Sequence, residues 1–199
     1  MANPYYENLK HLQNPGHLPP TKASIISLNR RLTSSITFHD VLHGFRAGHG
    51  TGTPTLEAKL LQKIAAMRKE VLYVIFLDLT KAYNALDRSR CLGILEGYSV
   101  GPGARRLLQN YWRRLTMAAR AGGYYGAEFK GARGVTQGEP LSPTIFNVVV
   151  DAVVRHWLEG LQTANEEKGA TGGGHFSVVF YADDGMVGAL DPAWISFPL

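Results

Sequence analysis

Apolar positions recur along this chain at two spacings, and each spacing predicts a different kind of element. At helical spacing, Ile25, Ile26, Leu28 and Leu32 give one apolar side to a helix from about Ala23 to Thr33, with Arg30 and Arg31 on its polar side. Leu56, Leu60, Leu61 and Ile64 stripe a helix from Pro54 to about Lys69, which Thr53 caps and Pro54 opens. A helix from Arg88 to Gly97 comes next. After Gly101-Pro102-Gly103, Leu107, Leu108, Tyr111, Trp112 and Leu115 share one face of another. Ser142-Pro143 repeats the cap-and-first-turn pair and starts a helix to about Leu161 that is apolar on most sides. Its polar residues Asn147, Asp151 and Arg155 fall in one seam at four-residue spacing, so a buried helix beneath a sheet is predicted.

Strand patterns are fewer. Val71 to Leu77 is a continuous β-favouring run, predicting a central strand buried on both faces. Phe176–Tyr181 and Met186–Leu190 are two further short apolar runs, and Met117–Ala121 with Tyr124–Lys130 flank Gly122-Gly123 as a hairpin. Residues 1–20, rich in Asn, Pro, Gly and His, read as a loosely held arm, and residues 163–174 as a polar, glycine-rich loop.

Composition narrows the class. With 45% apolar and 19% charged residues in 199, the chain is globular rather than disordered. A net charge of +5 permits a nucleic-acid partner without demanding one. The distribution is sharper: Arg105, Arg106, Arg113, Arg114, Arg120, Lys130 and Arg133 lie between Gly101 and Val135 against Glu128 alone. A solvated helix face and a face that follows a phosphate backbone are equal readings of these arginines. Cys91 is the only cysteine, which excludes an internal disulfide and a cysteine-based zinc site. Residues 1–10 lack an apolar signal core and no apolar run reaches the length of a membrane span, so a soluble intracellular protein is expected.

The candidate chemistry centres on Phe180-Tyr181-Ala182-Asp183-Asp184-Gly185. Asp184-Gly185 is a dipeptide that two-residue hairpin turns favour, and paired acids at a hairpin tip read either as turn chemistry or as a holder for a divalent cation. Asp78 closes the Val71–Leu77 run, and an acid there is a poor candidate for core packing, because an unpaired buried carboxylate is costly. His39 and His43 have the spacing of zinc ligands on a helix. Asp40 rather than Glu follows the first, however, and Gly44 would end the helix, so structural or surface histidines are expected. The glycine-rich stretch Ala47 to Thr53 lacks the Gly-Lys-Ser/Thr ending of a P-loop, and is read equally as a phosphate-holding or a plain connection.

Three blocks, in order, carry a resemblance: Phe76-Leu77-Asp78-Leu79-Thr80-Lys81-Ala82-Tyr83, Gly134-Val135-Thr136-Gln137-Gly138-Glu139-Pro140-Leu141-Ser142-Pro143-Thr144-Ile145-Phe146-Asn147, and Phe180-Tyr181-Ala182-Asp183-Asp184. Together with His43-Gly44-Phe45-Arg46, they resemble the reverse transcriptases of non-LTR retroelements and group II introns, over about Ile25 to Pro192. The resemblance implies an α+β fold: a polymerase palm, an antiparallel sheet backed by helices, with partial fingers and no thumb. The implied organisation is an arm over residues 1–24, partial fingers over 25–70, and a palm over 71–199 with a fingers-like insertion at about 88–135. The implied activity is RNA-directed DNA synthesis, the transfer of a nucleotide from dNTP to a primer 3′-hydroxyl on an RNA template, by a chain whose thumb and upstream fingers lie in a longer parent. Two Mg²⁺ ions, with Mn²⁺ a candidate substitute, would be held by Asp78, Asp183, Asp184 and the Leu79 carbonyl. Tyr83, Gln137 and Gly138 would bind the nucleotide, Tyr83 by excluding a 2′-hydroxyl. Arg46, Arg105, Arg106, Arg113 and Arg114 would contact phosphates. Asn84 and Glu139 depart from many relatives, and neither removes a metal ligand. The rivals are a non-catalytic nucleic-acid-binding fragment, an RNA-directed RNA polymerase and, through His39 and His43, a metalloprotease.

Overall fold

The strand-forming runs assemble as an antiparallel sheet in a computed structural model that describes residues 22–121, 124–167 and 176–192. The elements are α1 (Lys22–Ser35), α2 (Gly52–Arg68), β1 (Tyr73–Asp78), α3 (Ala82–Ala85), α4 (Arg88–Gly97), α5 (Pro102–Arg114), β2 (Arg120–Ala121), β3 (Tyr124–Tyr125), α6 (Ser142–Glu167), β4 (Phe176–Tyr181) and β5 (Asp184–Ala189). They fall into two compact units. One joins the described residues up to Thr37 to Tyr83–Phe146, and the other joins Phe38–Ala82 to the described residues from Asn147 onward. The mixed α and antiparallel β content agrees with the α+β expectation. The expected arm over residues 1–20 lies outside the described residues.

In the first unit, α1 buries Ile25, Leu28 and Leu32, and α5 buries Leu108, Tyr111 and Trp112, with Leu115 just beyond its end. α4 runs over the span its sequence predicts. Its start is set by Asp87, whose carboxylate accepts from the Ser89 and Arg90 amides at 2.9 and 3.1 Å. The Ser89 hydroxyl, donating at 2.7 Å, leads the set of bonds that hold this carboxyl below the usual aspartate range. The expected hairpin over residues 117–130 is present but short, β2 with β3 and one further bridge between Met117 and Phe129.

In the second unit, the strand order is β1-β5-β4, antiparallel throughout. Val178, Val179, Val187 and Ala189 are buried in it. β1 departs from expectation: it is an edge strand, and Phe76 is 79% exposed. Continuous apolar runs read as burial on both faces, yet Tyr73, Val74 and Phe76 are exposed, and among the described strands only β5 pairs with β1. Two helix boundaries also move. α2 begins at Gly52, two residues before Pro54, because the Thr51 carbonyl accepts from the Thr55 amide and hydroxyl, and a proline in the first turn forfeits no helical bond. α6 runs past Leu161 to Glu167, because Gln162 to Glu167 contain neither glycine nor proline. The rest of the expected loop lies outside the described residues.

A strap, Val41 to Gly44, lies along β4. The Phe180 amide donates to the Val41 carbonyl at 2.7 Å, and the His43 amide donates to the Phe180 carbonyl at 2.8 Å. The polar seam of α6 fastens this strap. Asn147 Nδ2 donates to the Gly44 carbonyl at 2.8 Å, and the fully buried Asp151 accepts from the His39 amide at 2.6 Å and from Arg155 Nε at 2.7 Å. Residues 39–46 are turns rather than a helix, so the zinc-helix spacing of His39 and His43 is not realised. His43 is 3% exposed, with Nε2 at 3.5 Å from Glu57 Oε1 and Nδ1 at 3.4 Å from His49 Nδ1. Burial pushes its imidazole below the ordinary value of 6.5. His49 and Arg46 push the same way, while Glu57 and Asp40 oppose them.

Asp151→Ala is expected to lower the urea-unfolding free energy by about 2–3 kcal/mol, because the His39 amide loses its acceptor while the half-exposed Arg155 regains water. Val153→Ala, at an exposed site on the same helix, should cost less than about 0.5 kcal/mol, and equal losses in the two would contradict the seam's role. Because the folded protein resists protonating His43, stability should be full above pH 6.5 and decline as pH falls below it. Melting temperatures from pH 7.5 to 5.5 should fall less steeply in His43→Asn than in the wild type, and parallel curves would remove His43 as the cause.

Candidate active site

The register of the sheet brings distant acids to one end of it. β1 and β5 pair so that Asp78 lies directly opposite Asp184, and β4 and β5 pair so that Tyr181 lies opposite Asp184 from the other side. Residues directly opposite in a ladder share a face, with Cβ atoms about 4.5–5.5 Å apart. Asp183 sits in the turn, and its carbonyl accepts from the Leu79 amide at 3.1 Å, tying the end of β1 to the hairpin tip. Asp78, Leu79, Asp183 and Asp184 are thus gathered from two parts of the chain, and all three acids are exposed.

The turn differs from the one expected. Its two central residues are Ala182 and Asp183, and Asp184-Gly185 already belongs to β5. Ala182 is left-handed, with φ +57°, a conformation that costs a residue with a Cβ about 1–2 kcal/mol. The strap makes room for it: a Cβ on Gly44 would collide with the Ala182 amide nitrogen. Gly185 is required for space rather than for turning, since a Cβ there would come within 2.6 Å of the Phe180 ring. Lys81 and Phe45, in the segments after Asp78 and after the strap, are left-handed too, at φ +53° and +55°. Strain of this kind gathers at functional sites.

The donor set is of the kind a hard cation takes. It consists of oxygens only, three carboxylates and the Leu79 carbonyl. That carbonyl accepts one bond, from the Ala82 amide at 3.1 Å, and so keeps a lone pair. Among the described residues no group of three His, Cys, Asp or Glu side chains stands close enough together to hold a metal ion. Mg²⁺ does not require such a group, since it takes one or two carboxylates and completes its shell with phosphate and water.

The residues expected at a nucleotide lie in the first unit. The Tyr83 ring stacks on Phe146, with centroids 5.0 Å apart and planes 13° from parallel, and its carbonyl accepts from the Val135 amide at 2.9 Å. Gln137 and Gly138 are exposed in a turn, where Gly138 adopts φ +86°. Gly134, at φ +82°, passes so close to Asn84 that a Cβ would lie 2.9 Å from its Cα. The first two sequence blocks therefore meet through backbone that only glycine permits.

The arginines divide by role. Arg46 donates from one nitrogen to the His39 and Leu42 carbonyls at 3.0 and 2.7 Å and lies over the Phe38 ring, which holds the strap's loop. Arg105 is tied to the Val100 carbonyl at 3.0 Å and to Glu96 at 2.8 Å. Arg106 and Arg113 are exposed on the side of α5 opposite its buried stripe, and Arg114 is exposed beside them. Cys91 is buried, and burial pushes its thiol up to about 11, so it is no nucleophile. The pattern of the sequence did not single out Arg88. Its Nε donates to the Gly134 carbonyl at 2.8 Å, a second guanidinium nitrogen donates to the Gly131 carbonyl at 2.6 Å, and its guanidinium stands 6.0 Å from the centre of the Trp112 ring. One signal was available: a cation as the first residue of a helix opposes the helix dipole and needs another reason to be there.

Known proteins similar to this chain point to one family. Residues 24–193 match the family described as reverse transcriptase (RNA-dependent DNA polymerase). Over 128 residues, 64% of this chain, it is 30% identical to the Pol polyprotein of the type-2 retrotransposable element R2DM of Drosophila melanogaster. Over 184 residues, 87% of the chain, it is 29% identical to that of the type-1 element R2 of Popillia japonica. It spans 12% and 25% of those two relatives' lengths. Among solved structures it is similar to the telomerase of Candida tropicalis in complex with a fragment of telomeric RNA, with a TM-score of 0.59 at 14% identity over 86% of this chain and 28% of that one. The same organism's apo telomerase, truncated of its C-terminal domain, gives 0.58 at 15% identity over 88% and 35%. At such identities these two likenesses show the fold alone. The family match, covering most of the chain and all three acids, shows that this chain belongs to the reverse transcriptases, of the type found in non-LTR retroelements.

Proposed function

We propose that the chain carries the nucleotidyl-transfer core of an RNA-directed DNA polymerase, with the β1-β5-β4 sheet as its palm and parts of both units as partial fingers. The observation that supports this reading is the ladder pairing of Asp78 with Asp184, beside the Leu79 bond to Asp183, which brings oxygen donors from separate parts of the sequence to one end of the sheet. Mg²⁺ bound there would supply Lewis-acid activation of the attacking oxygen and neutralise charge on the leaving one. The protein's own part is to place ligands and substrate. Asp78, Asp183 and Asp184 would hold two such ions, with the Leu79 carbonyl as a further ligand, and their exposure leaves room for phosphate oxygens. Tyr83, braced by Phe146, cannot easily swing aside and so would meet a ribose 2′-hydroxyl with a fixed ring. Gln137 would face the nucleotide or template, and Gly138 lets the backbone approach it. Arg106, Arg113 and Arg114 offer a basic helix face to phosphates, in keeping with an RNA template and a DNA primer.

Primer extension on an RNA template with dNTP and Mg²⁺ tests this. Carried in a chain as long as the relatives it matches, the wild type should extend, and Asp183→Asn should lose at least about 100-fold, since even outer partners of a metal ligand typically cost that order. Extension unchanged by Asp183→Asn would remove that residue from the centre. Template binding without extension by the wild type would reduce the chain to a nucleic-acid binder. Tyr83→Ala should raise ribonucleotide incorporation relative to deoxynucleotide by about tenfold or more, and an unaltered ratio in a competition assay would show that the ring is not the gate.

A further inference from the structure

We propose that Arg88 is a positioning residue for the nucleotide pocket, holding the Gln137-Gly138 turn in place relative to Tyr83 and so setting the affinity for the incoming nucleotide. The inference rests on the polymerase reading above.

Arg88 spends two donors on one short loop, through Nε to the Gly134 carbonyl at 2.8 Å and through a second nitrogen to the Gly131 carbonyl at 2.6 Å. A two-pronged planar donor fixes direction as well as distance, which a lysine cannot reproduce. The loop it grips is bonded in turn to the segment carrying Tyr83. The Gly134 amide donates to the Leu86 carbonyl at 2.7 Å and the Val135 amide to the Tyr83 carbonyl at 2.9 Å. Gly134 can approach only because it has no Cβ. Beyond it the chain turns through Gln137 and Gly138, and the turn is closed on its far side by the Ser142 hydroxyl, which donates to the Thr136 carbonyl at 2.6 Å. Gln137 thus hangs between two anchors, one made by the first turn of α6 and the other by Arg88. The site around Arg88 is partly desolvated, and Trp112 and Tyr111 flank it. Among the described residues no acid forms an ion pair with the Arg88 guanidinium. Its charge is directed at carbonyls, as suits a group that orders backbone rather than one that binds an anion.

The experiment pairs primer-extension kinetics, measured in a chain as long as the relatives it matches, with amide hydrogen exchange on the 199-residue chain. In Arg88→Lys, KM for dNTP in primer extension should rise about tenfold or more while kcat stays within about threefold, because the reacting centre is untouched and only the pocket is loosened. Exchange at Gly134 to Gly138 should quicken at least tenfold, while the β4–β5 ladder keeps its protection. Arg88→Gln, whose single amide nitrogen sits on a shorter stem, should change both readouts at least as much as Arg88→Lys, and serves alone if the lysine variant does not fold. A fall in kcat at constant KM, or unchanged exchange at Gly134 to Gly138, overturns the proposal. Should the wild type extend no primer, the polymerase reading fails, and the proposal, which rests on it, fails too. Faster exchange at Gly134 to Gly138 would then keep Arg88 only as an anchor of that loop.

Discussion

The antiparallel register of β1 against β5 is the constraint on which the centre depends. Every pair from Tyr73 with Ala189 to Asp78 with Asp184 follows from it. A slip of one residue would send the side chains of a whole strand to the opposite face and separate the two acids. The register is pinned from several directions. Gly185 accommodates the Phe180 ring, Gly188 accommodates Leu61 of α2, and the Leu79 amide closes the end of the ladder onto Asp183. Site geometry and core packing are therefore one set of contacts in this sheet.

The strap and the α6 seam extend the same logic. A turn that forces Ala182 into left-handed backbone is held only if its surroundings permit nothing else. The strap does this with Gly44, which leaves room for the Ala182 amide, and with two bonds to Phe180. The strap is itself fixed by Asn147 and Asp151, polar residues buried on a largely apolar helix. Burying Asp151 is affordable because both of its oxygens are bonded, one to the His39 amide and one to Arg155. The chain of support thus runs from a buried carboxylate on a helix to the conformation of an exposed carboxylate in a turn.

In the first unit the working parts are backbone. The loop from Gly131 to Gly138 has little regular structure, yet its carbonyls and amides are claimed by Arg88, Leu86, Tyr83 and Ser142. Glycines at 134 and 138 supply the left-handed and close-approach positions that such a path demands. Tyr111 lies near this loop. Burial is the main cause that holds its phenol proton well above the ordinary value, and the Glu139 carboxylate adds to the effect. Near this loop Glu139 meets the aromatic stripe of α5 at Tyr111.

Much was legible in the sequence alone. The span of α4, the buried stripe of α5 and the seam of Asn147, Asp151 and Arg155 follow from period and capping, which are local properties, and the three acidic and glycine-bearing blocks identify the family. Other features were not legible, because they depend on what lies beside a residue rather than next to it in sequence. The apolar run of β1 specifies a strand but not how many neighbours it has, so its place at the sheet edge came only from pairing. Asp184-Gly185 has the composition of a turn, yet the turn moved to Ala182-Asp183 because Gly185 was needed where the Phe180 ring packs. Arg88 carried no periodic signal, since its partners are carbonyls more than forty residues away in the chain. The sequence by itself determined which residue types are available for chemistry and which elements carry them. Only the tertiary structure decided which of them face one another, because register, edge and close approach are set by contacts between segments that no local pattern encodes.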